Sequence, residues 1–201
     1  MPLRTLVTRL SADRESEKPL TPAVPEFDHR LGRPVVRTAT PADARTLHRL
    51  SATFVHSGAL RERPEGHYAR HAEHFLVAAT ATGTIEGCVA LRYYPARSPM
   101  YRNPSGVAWS DVGRTAAVVY NFCVAPGSQR RGVGSALLRA VLSEAGPRSV
   151  FTATTGSGEL FLRHAFHICD ASTAPAAWLA TLDPRRGSTV LSRCVETCRR
   201  E

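Results

Sequence analysis

Residues 119–138 read Val-Tyr-Asn-Phe-Cys-Val-Ala-Pro-Gly-Ser-Gln-Arg-Arg-Gly-Val-Gly-Ser-Ala-Leu-Leu. The unbroken apolar run over 116–125 predicts a buried strand, and Pro126-Gly127 ends it. Apolar residues then recur at Val133, Leu137, Leu138, Val141 and Leu142, spaced for one face of a helix over 131–145. A buried strand therefore runs through a glycine-containing turn directly into a helix. This is the arrangement by which α/β folds build ligand sites.

The turn itself is Gln129-Arg130-Arg131-Gly132-Val133-Gly134. Glycine lets a backbone come close to a ligand. The first amides of the following helix lack intrahelical partners and favour an anion. Two arginines add charge-assisted donors. Together these features predict a cradle for a pyrophosphate. A dinucleotide fingerprint would need a third glycine where Leu137 stands. A Walker loop would need Gly-Lys-Ser/Thr, which is missing.

Working outward, Pro34-Val35-Val36-Arg37 reads as a short strand. Thr40-Pro41-Ala42-Asp43 is a helix start, with a capping residue, Pro at the first helical position and a capping-box acid. Ala44, Leu47, Leu50 or Ser51, and Phe54 follow at helical spacing until Gly58, and 64–73 predicts a shorter helix. Runs 75–79 and 85–94, separated by Thr82-Gly83-Thr84, predict a hairpin. Residues 95–114 carry repeated Pro and Gly and read as a long loop. Strands are expected over 149–154 and 189–195, with a helix over 157–164 and an amphipathic stretch at Trp178 and Leu179. Residues 1–34, with five prolines and no periodicity, read as a partly ordered arm before a domain over 35–201.

The chain has 201 residues and a net charge of +9, and Lys18 is its only lysine. Such an excess of arginine fits nucleic acid, a membrane surface or small anions. The arginines are scattered and lack interleaved aromatics, which argues against nucleic acid. No apolar run approaches the roughly 20 residues of a membrane span, and no secretory signal is visible at the start. Five cysteines, most of them in apolar runs, suit a reducing cytoplasm. Cys194 and Cys198 lack a second ligand pair, and His67, His71 and His74 read as one polar helix face, so no metal is expected.

Gln129-x-x-Gly132-x-Gly134 resembles the Arg/Gln-x-x-Gly-x-Gly/Ala motif of the GNAT N-acetyltransferase superfamily. The likeness runs over roughly 35–195. It takes in the Pro41-Ala42-Asp43-Ala44 helix start, the central strand at 122–126, and the late helix 160–166, where Ala165 replaces the usual Gly. The resemblance implies an α/β GNAT fold. That fold has a central mixed, mostly antiparallel sheet of six or seven strands, flanked by helices and splayed between strands 4 and 5. It implies acetyl-CoA as cosubstrate and no metal. Amides of Arg131, Gly132, Val133, Gly134 and Ser135 would hold the pyrophosphate, beside Gln129, Arg130, Ala136 and Phe161. Phe122, Cys123 and Val124 would pair with the pantetheine arm, and an amide near Phe122 would polarise the thioester carbonyl. Many relatives place a Glu on the central strand and a Tyr at the position of Phe161 for proton transfer. Both are absent here, which leaves water chains, Tyr120 or a residue of the 95–114 loop, with Asn121 beside Tyr120 as a further catalytic-site candidate.

One subgroup is more similar still. Residues 57–63, the run Phe151-Thr152-Ala153-Thr154-Thr155 and the ending Arg185-Arg186-Gly187-Ser188-Thr189-Val190-Leu191 resemble acetyltransferase-only N-acetylglutamate synthases. The implied function is acetyl transfer to the amino group of a small amino acid, glutamate-like first, by direct attack in a ternary complex. Arg63, Arg92, Arg186 and Ser188 are the acceptor-binding candidates, because arginine forks suit carboxylates. The alternatives are a detoxifying acetyltransferase for an amine-bearing antibiotic or metabolite, and a catalytically silent acyl-CoA-binding module. Neither a nucleic-acid nor a membrane partner is expected. A homodimer is left open.

Overall fold

A computed structural model describes residues 34–95 and 115–194. The expected arm and long loop, the end of the last expected strand and Cys198 lie outside the described residues. Seven strands form one sheet: β1 (Val35–Thr38), β2 (Phe75–Ala79), β3 (Ile85–Pro95), β4 (Thr115–Val124), β5 (Val150–Thr154), β6 (His167–Ile168) and β7 (Thr189–Arg193). Their spatial order is β1-β2-β3-β4-β5-β7-β6. Every neighbouring pair is antiparallel except β4 and β5, which are parallel. This is the mixed, mostly antiparallel sheet expected.

Five helices flank it: α1 (Ala44–Val55), α2 (Glu65–Arg70), α3 (Val133–Ala145), α4 (Glu159–Leu162) and α5 (Ala176–Leu179). The start of α1 forms as the residues predict. The Asp43 carboxylate accepts from the Thr40 amide at 2.8 Å and the Thr40 hydroxyl at 3.0 Å. Both its oxygens also take the Arg37 guanidinium, at 2.7 and 3.0 Å. The paired cation holds the Asp43 carboxyl well below the usual carboxylate range.

Alternation along the strands divides the core. Val89, Leu91, Ala117 and Val119 pack on one face against Val133, Leu137, Leu138 and Val141 of α3. Cys88, Ala90, Phe75 and Val77 pack on the other against Leu47 of α1 and Tyr68 of α2. Toward β5 and β7 that second face is covered by Trp178 of α5, over Val118, Phe151 and Val190.

Several boundaries differ from expectation, each for a local reason. Helix α3 begins at Val133 rather than 131, because Gly132 at φ +85° cannot be helical. On its core face Ala145 is buried while Leu142 is only partly so. The expected helix 64–73 breaks at His71 (φ −121°, ψ 25°) into α2 and a 3-10 turn, Ala72–His74. The break delivers Phe75 into β2, where it is fully buried. The expected helix 157–164 shortens to α4, and the two-residue β6 was not foreseen.

After α4 the chain turns at Ala165, which takes the left-handed conformation at φ +62°. The Phe166 amide bonds back to the Phe161 carbonyl at 3.1 Å. An alanine pays a steric penalty there that glycine avoids, of about 1–2 kcal/mol. Ala165→Gly should therefore stabilise the chain by about 1 kcal/mol, read as a raised urea midpoint at unchanged slope.

Candidate active site

Strands β4 and β5 pair only over Ala117–Val150, Val118–Phe151 and Val119–Thr152. The Thr152 hydroxyl donates to the Val119 carbonyl at 3.0 Å, closing the last shared rung. Beyond it the strands part, and β5 continues alone with β7. At the same level β4 bulges. Cys88 faces Cys123 and Ala90 faces Tyr120, so Asn121 and Phe122 together oppose Val89. Asn121 takes φ +49°, a conformation that asparagine tolerates better than most residues.

The bulge turns two consecutive side chains toward the α1/α2 face. Asn121 Nδ2 donates to Ser51 Oγ at 3.0 Å, and the Tyr68 hydroxyl reaches Asn121 Oδ1 at 3.5 Å. The Asn121 side chain thus fastens the bulge to both helices, and its amide group is occupied in doing so. Cys123 is buried, its Sγ 3.4 Å from Cys88 Sγ, so only its backbone can meet a ligand.

On the α3 face, Phe122 packs edge-to-face on Phe161 at 5.5 Å, and Phe161 on Phe166 at 5.4 Å. The start of α3 sits beside them. A Cβ on Gly134 would lie 3.1 Å from Leu160 and 3.7 Å from Phe122, so this glycine permits close packing of α3 against β4 and α4. Gly132 differs: a Cβ there would meet nothing within 4 Å, and its role is the positive φ. Glu86 of β3 steadies the turn, accepting from Ser128 Oγ at 2.9 Å with Arg131 Nη1 at 3.6 Å. Gln129 Nε2 holds the Val124 carbonyl at 3.2 Å. The left-handed Arg130 (φ +59°) and Gly132 curl the chain so that the first amides of α3 open outward. Val133 is buried, Ala136 is half-buried, and the Ser135 hydroxyl pairs with His164 at 3.2 Å. The backbone is what this turn offers an anion, and it fits a pyrophosphate.

A cleft opens on the other face, at the fork. Tyr120, Arg63, Arg186 and Ser188 line it, together with Trp178 and Asp183, two residues the sequence reading missed. The Arg63 and Arg92 guanidiniums lie 5.4 and 5.8 Å from the Tyr120 ring centroid. Arg186 Nη2 donates to the Gly58 carbonyl, which ties the turn before β7 to the loop after α1. Among the described residues none of these three arginines has a carboxylate within 4 Å. The Tyr120 hydroxyl is buried without a partner, and burial raises its pKa despite the nearby Arg92 and Arg63.

The histidine face on α2 is divided. Ligand-capable atoms of His71, Glu73 and His74 lie within 4.8 Å of one another. His67 instead directs Nε2 toward Arg63 Nη1 at 3.5 Å.

The profile described as "Acetyltransferase (GNAT) family" matches residues 43–169, and the chain belongs to that family. By that match it is an acyltransferase of the GNAT class. Similar solved structures share its fold. N-acetylglutamate synthase from Neisseria gonorrhoeae, complexed with coenzyme A and N-acetyl-glutamate, is 22% identical at a TM-score of 0.63. That likeness covers 79% of this chain and 34% of the synthase, so the chain spans about a third of the longer protein. Rv2747 from Mycobacterium tuberculosis, in complex with CoA and a second ligand, is 22% identical at a TM-score of 0.61, covering 80% of this chain and 99% of that one. Naa50 from Arabidopsis thaliana, with a bisubstrate analogue, is 16% identical at 0.53, covering 79% and 97%. By sequence, no curated protein matches the chain. Among the described residues no helix is long and apolar enough to cross a membrane.

Burial, then the charges of Arg63, His71, Arg92 and Arg70, push His67 down from 6.5 to about 4. Between those values the unfolded chain binds a proton that the folded chain refuses. Stability present above 6.5 is therefore lost as pH falls toward 4. His164, depressed by burial and neighbouring arginines, acts in the same direction. The thermal midpoint should drop across this window, and His67→Gln should shrink the drop, as read by circular dichroism melts at stepped pH.

Proposed function

We propose that the chain moves an acetyl group from acetyl-CoA to the amino group of a small acidic amino acid, glutamate-like, by direct attack in a ternary complex. The observation that carries this reading is the cleft at the β4–β5 fork, where Arg63 and Arg186 converge from segments far apart in sequence, with Arg92 on the same tyrosine ring. Guanidiniums with no carboxylate within 4 Å among the described residues suit a small ligand bearing carboxylates, which they can hold bidentately. Ser188 adds a hydroxyl.

The two faces divide the labour. The turn before α3 holds the pyrophosphate through its amides, and the unpaired end of β4 at Phe122, Cys123 and Val124 receives the pantetheine arm. The Phe122 region polarises the thioester carbonyl, a contribution typically worth a few kcal/mol in the transition state. The acceptor comes from the opposite face and meets the thioester through the fork. A neutral amine forms the N–C bond, the C–S bond breaks, and the thiolate must gain a proton while the nitrogen loses one. The cleft offers the Tyr120 hydroxyl. Burial keeps it protonated at neutral pH, so it serves as donor to the leaving thiolate.

Thiol release measured over a panel of amino acids and amine antibiotics should give turnover with glutamate or a close analogue. Turnover confined to an antibiotic, or coenzyme binding with no acceptor-dependent release, would reject the proposal. Arg63→Ala and Arg186→Ala should each raise the acceptor KM at least about tenfold, the loss of a charge-assisted pair, while the acetyl-CoA KM holds. Gly132→Glu, which sets a charge and a side chain in the cradle, should abolish coenzyme binding by calorimetry. Tyr120→Phe should lower kcat by about 10²-fold, the low end for a lost proton-transfer group, with both KM values little changed.

A further inference from the structure

Arg63 lies on the loop between α1 and α2, where a long side chain could take many rotamers. Two contacts hold it: the Tyr120 ring beneath its guanidinium, and His67 Nε2 at 3.5 Å from its Nη1. A guanidinium can only donate, so Nε2 must be the acceptor. The imidazole proton then sits on Nδ1, and the ring is uncharged. The ring plane is set by edge contacts with Tyr68 at 5.8 Å and Phe75 at 6.5 Å, both fully buried. The charged or titratable groups acting on His67 are Arg63 from the loop, Arg92 from β3, and His71 and Arg70 from the α2 segment. None of them is acidic, and no carboxylate lies within 4 Å of His67 among the described residues.

We propose that His67 is a positioning residue for the acceptor: its uncharged Nε2 accepts from Arg63 and aims that guanidinium into the cleft for the acceptor's carboxylate. The inference rests on the acidic-acceptor reading above. An aimed arginine loses less rotamer freedom on binding than a free one, which favours affinity. The residue type matters as well. A carboxylate at position 67 would orient Arg63 but also pair with it and compete with the substrate. A neutral imidazole orients the cation and leaves its charge available.

Three variants of the full chain test this, with KM for the turned-over amino acid and for acetyl-CoA read separately and folding checked by thermal melts. His67→Leu, similar in bulk but without an acceptor atom, should raise the acceptor KM about tenfold and leave kcat and the acetyl-CoA KM within about twofold, the split expected of lost ground-state binding. His67→Gln, whose carbonyl can accept from Arg63, should restore KM to within about threefold of the parent. His67→Glu should be worse than His67→Leu despite its better hydrogen-bond acceptor. In an Arg63→Ala background, His67→Leu should add less than about twofold, since the two act as one unit. Equal KM values for the Leu and Gln variants, an effect confined to the acetyl-CoA KM, or full additivity with Arg63→Ala would overturn the assignment. A non-acidic acceptor with the His67–Arg63 coupling intact would instead overturn the acidic-acceptor reading and leave the positioning role standing.

Discussion

Between Tyr120 and Cys123, strand β4 places two residues where β3 places one, and it does so just where its pairing with β5 ends. An extra residue in a strand disrupts the ladder and re-aims side chains. Here it sends Tyr120 and Asn121 to the α1/α2 face and returns Phe122 to the α3 face. Without it Asn121 would point toward α3, and Phe122 would leave its place against Phe161. The fork alone would be a gap in the sheet. The fork with the bulge becomes a passage with the glycine-containing turn before α3 on one side and an arginine-lined cleft on the other. Ser51 and Tyr68 hold the bulge through Asn121, so the packing of α1 and α2 sets the geometry at the reaction centre.

The turn before α3, the proposed phosphate cradle, is held by a different means. Glu86, 12% exposed, receives both the Ser128 hydroxyl and the Arg131 guanidinium. An acid beside an anion site looks counterproductive. Yet it draws the Arg131 side chain back onto β3 and leaves the backbone amides as the principal donors. Helix amides are fixed by the fold and need no ordering on binding. A flexible arginine does need ordering. Arg130, with no ion pair among the described residues, remains as a mobile complement.

Local chemistry was legible in the sequence, and distant convergence was not. Thr40, Pro41 and Asp43 announced α1, and the alternating runs around Gly83 announced β2 and β3. The Gln129–Gly134 turn pointed to an anion through residue types alone. By contrast, the contacts that shape the cleft join Asn121 to Ser51 and Arg186 to Gly58, separated by 70 and 128 residues. No periodicity reports such contacts. Asn121 was a signal available but unread: a polar residue in the middle of an apolar strand, of a type that accepts positive φ, marks a bulge. Trp178 and Asp183 were harder, because they lie in one-turn segments too short to show a period. The three histidines of the expected helix 64–73 and the residue after it illustrate the opposite error. Their shared spacing suggested a uniform solvated face, but the break at His71 gives His67 an environment of its own.

The arginine excess has a sharper meaning in this frame. Most of the positive charge is spread over the surface and carries no directional information. At the fork, Arg63 and Arg92 meet on one ring, among the described residues neither has a carboxylate within 4 Å, and His67 beside them is kept uncharged. Clustered like charges oppose folding unless something offsets them. The Tyr120 π face does so in part, since a guanidinium over an aromatic ring gains about 0.5–1 kcal/mol at an exposed site and more when desolvated. That interaction uses the face of each guanidinium and not its in-plane N–H groups, one of which on Arg63 goes to His67. Two acids stand nearby: Asp183 lines the same cleft but accepts from the Arg185 amide at 3.0 Å, and Glu73, near enough to influence the Tyr120 hydroxyl, lies 3.5 Å from His74. Among the described residues neither acid comes within 4 Å of these arginines, so the fork keeps a surplus of positive charge, and that surplus is what supports the proposal of an acidic acceptor.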